Sequence, residues 1–149
     1  MLPFYQLTLS MPCSVNASHT VARNKKGGNI VRSPDYTGWL QMAHIEFRNQ
    51  FQSGIGKKFT GRIRADYIFI WNELSRGKDS SDISNREKVL SDFLQNKFFE
   101  NDNQIDEQHH YRRFLPNCKD HVLARIYEIP DRRRDDLSLI FPDLLRTTA

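Results

Sequence analysis

Five carboxylates gather around one amphipathic stretch of the chain: Asp79 and Asp82 precede it, and Glu100, Asp102 and Asp106 follow it. A compact turn can bring acids at both ends of such a stretch to one edge of a sheet. Hard cations such as Mg²⁺ take oxygen ligands, few of them from the protein, and keep waters that can be activated to attack a phosphodiester. Two carboxylates therefore suffice in principle. The same residues have a purely structural reading, in which Asp79 and Asp82 favour a helix N-terminus and Asp102 caps a turn. Their positions alone leave both readings open.

Placing these acids requires elements on either side. Ser84 and Glu87 match a capping box, and Val89, Leu90, Phe93 and Leu94 recur at helical spacing, which predicts a helix from Ser84 to about Lys97. Upstream, the aromatic and β-branched run from Arg62 to Trp71 predicts a central strand that Ser75-Arg76-Gly77-Lys78 breaks. Ser33-Pro34-Asp35 reads as an N-cap, a first-turn proline and a dipole-favoured acid. The helix it opens is expected to reach about Gln52, with Trp39, Met42, Ala43, Phe47 and Phe51 on its apolar face. Phe4 to Leu9 alternates like a half-buried strand, and Lys25-Lys26-Gly27-Gly28-Asn29 reads as a basic loop after it. Two last strands are expected at Glu107 to Phe114 and His121 to Ile129, with Pro116-Asn117 turning between them. The order β-α-β-α-β-β implies an α+β two-layer sandwich, a mixed sheet of about four strands with two helices on one face. Residues 1–130 form the expected domain, and residues 131–149 a basic C-terminal tail.

Bulk properties narrow the function classes. A chain of 149 residues, with 38% hydrophobic and 27% charged, fits one folded domain and not wholesale disorder. Its apolar runs, such as Tyr67 to Trp71, are far too short to span a bilayer. The alternating N-terminus is unlike a secretory signal, so a cytoplasmic setting and reduced Cys13 and Cys118 are expected. Net charge is +4 and the pI is near 9.2. Basic residues cluster at Arg23-Lys25-Lys26, Lys57-Lys58-Arg62-Arg64, Arg112-Arg113 and Arg132-Arg133-Arg134, which suits a polyanionic partner but does not require one. There is no phosphate-binding glycine loop and no nucleophile elbow. His109, His110, Cys118 and His121 offer zinc-ligand types, yet only Cys118 and His121 have short ligand spacing. Trp39, Phe47, Phe51, Phe69 and Phe93 could stack on bases, but their helical and strand spacing assigns them to the core.

The segment Asp82-Ile83-Ser84-Asn85, then Lys88, then Phe98-Phe99-Glu100-Asn101-Asp102-Asn103-Gln104-Ile105 resembles the RusA-type Holliday junction resolvases. That family carries an Asp-x-Asp-Asn element opening a helix, a lysine one turn in, and an aromatic followed by Asp-Asp-x-Gln-hydrophobic. Leu7-Thr8-Leu9, Pro12, Ser14 and Asn16 are similar to its opening strand and Pro-x-Ser-x-Asn turn, so the likeness spans about residues 5 to 129. The resemblance implies that Asp82 and Asp102 bind Mg²⁺, with Mn²⁺ as the alternative, and that Lys88 contacts DNA or assists at the scissile phosphate. It implies a homodimer acting on branched DNA, chiefly four-way junctions. Lys25, Lys26, Lys57, Lys58, Asn85 and Arg86 are the corresponding DNA-contact candidates.

The chain departs from the family pattern at Ser84, where the second aspartate would stand. A neutral hydroxyl is a much weaker ligand for Mg²⁺. Three explanations follow: Ser84 holds a metal-bound water while Asp79 or Asp106 supplies the charge, the centre works with fewer ligands, or catalysis is lost and DNA binding persists. Ser84 acting as an N-cap would favour the last. Pro130-Asp131-Arg132-Arg133-Arg134-Asp135-Asp136-Leu137 imitates a basic lead-in to an acidic element, but no Asp-x-Gln follows it and Pro142 interrupts the apolar stretch.

Overall fold

Along Ile63–Asn72, the side chains of Ile63, Ala65, Tyr67, Phe69 and Trp71 are fully buried, while Arg64, Ile68, Ile70 and Asn72 are only partly so. This period of two is that of a strand with one covered face. In the computed structural model, which describes residues 3–15, 19–24, 27–76 and 83–130, this strand is β4 and lies inside a four-stranded sheet. The strands are β1 (Phe4–Ser10), β4, β5 (Ile105–Leu115) and β6 (His121–Glu128), in the order β1-β6-β4-β5. β6 runs antiparallel to both β1 and β4, whereas β5 runs parallel to β4. Two helices, α1 (Pro34–Gln50) and α2 (Ile83–Leu94), complete the expected α+β sandwich.

The parallel pairing of β4 and β5 explains the position of α2. Adjacent parallel strands need a crossover connection, and α2 is that crossover. Pro116-Asn117 turns the chain between β5 and β6 as expected, but the two strands are not neighbours. β5 and β6 are separated by β4, so the chain turns at Asn117 (φ 53°) and passes over one strand.

Helix α1 begins as its sequence dictates. The Ser33 hydroxyl accepts from Tyr36 N at 3.1 Å, with Pro34 behind it. Its packing also serves an edge. Thr8 N donates to Gln50 Oε1 (2.8 Å), Gln50 Nε2 donates to Thr8 O (2.6 Å), and Ser10 N donates to Glu46 Oε2 (2.9 Å). The free backbone edge of β1 is thereby covered by side chains rather than left open for pairing. Trp39 and Ala43 are buried and Phe47 and Phe51 pack half-buried against the core, but Met42 is 48% exposed and does not belong to the apolar face.

Two further readings change. The stretch after β1 includes β2 (His19–Asn24) and β3 (Gly27–Arg32), an antiparallel hairpin not expected from the sequence. Arg23 lies in β2, while Lys25 and Lys26 lie outside the described residues, as do the tail 131–149, Asp79 and Asp82. The four-residue zinc reading fails: no group of three or more His, Cys, Asp or Glu among the described residues could hold a metal ion. No helix among them is long and apolar enough to cross a membrane.

The aromatic core joins the layers. Trp39 meets Phe93 edge-on at 5.5 Å, Phe47 approaches Phe98 at 5.7 Å, and Tyr5 stacks on Phe98 at 4.8 Å. Phe98 is fully buried where β1, α1 and the segment after α2 meet. Phe98→Ala is expected to cost about 3–5 kcal/mol in urea unfolding, and Met42→Ala less than about 0.5 kcal/mol.

Candidate functional site

The turn that carries Asp102 is held from both sides by one amide. Gln104 Oε1 accepts from Glu100 N (2.8 Å) and Asn101 N (2.9 Å). Its Nε2 donates to Phe59 O (3.0 Å) and Gly61 O (2.8 Å), which lie on the approach to β4. Phe59 N adds a bond to Phe98 O at 2.8 Å. The short 3-10 turn Asp102–Gln104 is capped by Asn101, whose side chain accepts from Asn103 N at 2.9 Å. The structural role proposed for Asp102 is thus performed by Asn101. Asp102 is exposed, and its carboxylate has no hydrogen-bond or ion-pair partner among the described residues.

Asp106 is differently placed. It forms an ion pair with Arg62 at the start of β5. Its charge is therefore already matched, which weakens the case for Asp106 replacing the carboxylate absent at Ser84. Glu100 is exposed beside the clamped turn.

Helix α2 begins at Ile83, so Ser84 sits within its first turn, exposed, and not at its cap. Asp82 immediately precedes the helix in sequence. The predicted capping box is not built, because Glu87 turns to the sheet: its Oε1 accepts from Ser91 Oγ (2.6 Å) and Gln108 Nε2 (2.6 Å). Ser91 Oγ also lies 2.9 Å from the buried Tyr67 hydroxyl. This chain of polar contacts pins α2 to β4 and β5, the two strands it connects. Burial pushes the Tyr67 phenol far above its usual range.

Asn85, Lys88, Asp92 and Gln95 follow one another at spacings of three and four, and so share a stripe of α2 and its C-terminal extension. Gln95 Nε2 reaches Glu100 O at 3.2 Å, which joins the end of this stripe to the turn bearing Asp102. Asp92 is the acid that sequence reasoning missed. Burial pushes its carboxyl above the ordinary value, Lys88 pulls it down, and Asp102 and Glu87 push it up. Lys88, one turn earlier on α2, and Asp102 thus both act on Asp92, with opposite sign. The i, i+4 pairing of Lys88 with Asp92 was the available sequence signal.

The basic candidates divide. Lys88 and Lys57 are exposed, and Lys58 and Asn85 are half-buried. Lys57 and Lys58 occupy the loop leading to Phe59, with Lys57 O accepting from the Tyr5 hydroxyl at 2.7 Å. Arg86 is half-buried and donates to Pro12 O, which ties α2 to the segment after β1. Tyr36, in the first turn of α1, senses the same acid: burial pushes its phenol up, Arg32 pulls it down and Asp92 pushes it up. The β2–β3 hairpin leads directly into this corner through Arg32.

The family model described as Endodeoxyribonuclease RusA matches residues 12–121. The match contains every site residue described above. No curated protein matches the chain.

Gln104→Leu removes partners from four backbone groups at once. It is expected to cost about 1–3 kcal/mol and to speed amide exchange at Glu100 and Asn101 by hydrogen-exchange mass spectrometry. Asp92 gives a pH signature. Because its folded pKa is raised, the folded state holds the proton more tightly than the unfolded chain, and stability falls as pH rises through the window above the unfolded value. In thermal melts without divalent metal, Asp92→Asn is expected to raise Tm at pH 7. The gain vanishes at about pH 3, where the native carboxyl is protonated in both states.

Proposed function

The chain belongs to the RusA endodeoxyribonuclease family, and on that premise we propose that it resolves four-way DNA junctions by metal-dependent paired nicking as a homodimer. The observation that carries this reading is the Asp102 turn. Four hydrogen bonds from Gln104 hold it, its cap comes from Asn101, and its carboxylate has no hydrogen-bond or ion-pair partner among the described residues. A side chain spared from structural duty on a rigid turn is suited to a ligand.

The donor set fits a hard cation. Asp102 offers a carboxylate free of structural partners among the described residues, and Asp82, the residue before α2 in sequence, would supply a second. A bound Mg²⁺ or Mn²⁺ would supply an activated water and neutralise charge developing on the phosphate. Asp102 and Asp82 would hold the ion, and Lys88 would place its ammonium against the scissile phosphate. Lys25, Lys26, Lys57, Lys58, Asn85 and Arg86 would line the path of the DNA arms, where net charge of +4 favours salt-sensitive binding. A two-fold dimer presents one centre to each strand of a symmetric junction. The setting that suits such an activity is DNA recombination and repair in the cytoplasm.

Ser84 favours a second reading, a relative that binds branched DNA with weakened or absent cleavage. The two readings separate on a synthetic four-way junction with Mg²⁺. Paired nicks that disappear in Asp102→Asn, with junction affinity retained, support the nuclease. Absence of cleavage at every metal concentration, with binding intact, sinks it. Ser84→Asp is expected to raise the cleavage rate about tenfold or more while leaving affinity within about twofold, since metal-shell changes act on that scale.

A further inference from the structure

We propose that Gln104 is a positioning residue of the cleavage reaction, its amide setting the Asp102 carboxylate at a fixed place relative to the basic loop that carries Lys57 and Lys58. This rests on the proposed function, which assigns Asp102 to the cation and the two lysines to the DNA arms. Gln104 acts through Asp102 and meets neither ligand itself.

The first ground is how far this amide exceeds a local cap. A capping box needs one bond from the Gln104 side chain to the backbone of Asn101, and that bond is made at 2.9 Å. Three more are made. Glu100 N donates to the same Oε1 at 2.8 Å, and Nε2 donates to Phe59 O at 3.0 Å and to Gly61 O at 2.8 Å. The last two bonds join positions 45 and 43 residues apart in the chain. Two N–H groups face the oxygen and two carbonyls face the nitrogen, so one orientation of the amide satisfies all four.

The second ground is where the other links lie. Phe59 N donates to Phe98 O at 2.8 Å, and Arg62 pairs with Asp106. Phe98 and Asp106 stand four residues before and four residues after Asp102. The Gln104 bonds act between those two anchors, on the turn itself. Thr60, Gly61 and Arg62 are separated from Asn103 by an open groove of about 410 Å³, and not by packed core. Directional bonds therefore set the spacing of loop and turn there.

The third ground is what that spacing controls. Asp102 is exposed on a 3-10 turn of three residues, which has little rigidity of its own. A hard cation demands near-ideal oxygen geometry, and a productive site tolerates displacements of only about 0.5 Å. Lys57 and Lys58 immediately precede Phe59, whose backbone the amide holds on both the loop side and, through Phe98, the turn side. Carboxylate and lysines thereby keep one offset.

The test uses the full chain with Gln104→Leu, Asn101→Ala, Asp102→Asn and Ala43→Gly, the last a buried position on α1 that lowers stability away from the turn. Mn²⁺ binding without DNA is followed by the electron paramagnetic resonance of the free ion. Single-turnover cleavage of a four-way junction is measured at saturating protein, beside junction affinity. Thermal melts in EDTA establish that each variant is folded at the assay temperature. Gln104→Leu is expected to lower Mn²⁺ affinity and the cleavage rate by about tenfold or more each, with junction affinity within about twofold. Ala43→Gly is expected to leave all three within about twofold. Asn101→Ala removes the cap of the same turn more mildly and should lower Mn²⁺ affinity about threefold or more; it decides the matter if Gln104→Leu does not fold. If Asp102→Asn loses Mn²⁺ while Gln104→Leu keeps native affinity and rate, the inference falls and the nuclease reading stands. Equal losses in Gln104→Leu and Ala43→Gly would reduce Gln104 to a stabilising residue and overturn the inference. If the native protein binds Mn²⁺ through Asp102 but cleaves nothing, the nuclease reading falls and the Mn²⁺ measurement alone decides the role of Gln104. If it neither binds Mn²⁺ nor cleaves, both fall.

Discussion

The side chain of Gln104 satisfies four backbone groups, two on each of the segments it joins. Its carbonyl oxygen closes the turn from Glu100 to Asp102, and its amide nitrogen holds Phe59 and Gly61 on the approach to β4. An amide can do this because it carries an acceptor and two donors on one planar group. No carboxylate or ammonium of similar size offers both. The candidate centre depends on this constraint, since it sets Asp102 against the sheet without using the carboxylate of Asp102 itself.

A second constraint sets the opposing wall. α2 must cross from the end of β4 to the start of its parallel neighbour β5, which confines it to one face of the sheet. Burial of Val89, Leu90, Phe93 and Leu94 fixes which side of the helix faces inward. The contacts Tyr67–Ser91–Glu87–Gln108 then fix its rotation through directional bonds. With those positions committed to the interior, Lys88 and Asp92 are turned to the outside, and Gln95 at the end of the same stripe bonds the turn that carries Asp102. The chemistry thus occupies the positions that packing left over.

Much of the architecture was legible because it follows from local periodicity. The cap at Ser33-Pro34 located the start of α1, and the alternation of β4 gave its core face, since Ile63, Ala65, Tyr67, Phe69 and Trp71 are all buried. The resemblance to the RusA family, carried by the spacing of Asp82, Lys88, Asp102 and Gln104, agrees with the family match over residues 12–121. Less legible were features in which two local explanations compete. Ser84 and Glu87 have the spacing of a capping box, yet Glu87 finds Ser91 and Gln108 instead, because its carboxylate faces the sheet, where two directed side-chain donors satisfy it. Met42 has the spacing of a core residue, but α1 meets the sheet through Trp39, Ala43 and Phe47, and the surface ends before Met42.

The sequence by itself determined which segments form the central strand, the two helices and the last two strands, and it determined the spacing of acids and lysine around α2. Those properties depend on neighbours within a few residues. The strand order β1-β6-β4-β5, the β2–β3 hairpin and the partner of each acid were decided only by tertiary structure. Asp102 and Asp106 are four residues apart and chemically alike, yet among the described residues one carboxylate has no partner and the other is bound to Arg62, which is 44 residues away in the chain. Whether a carboxylate is free for a ligand depends on which distant cations and amides the fold brings within hydrogen-bonding distance, and no local pattern encodes that.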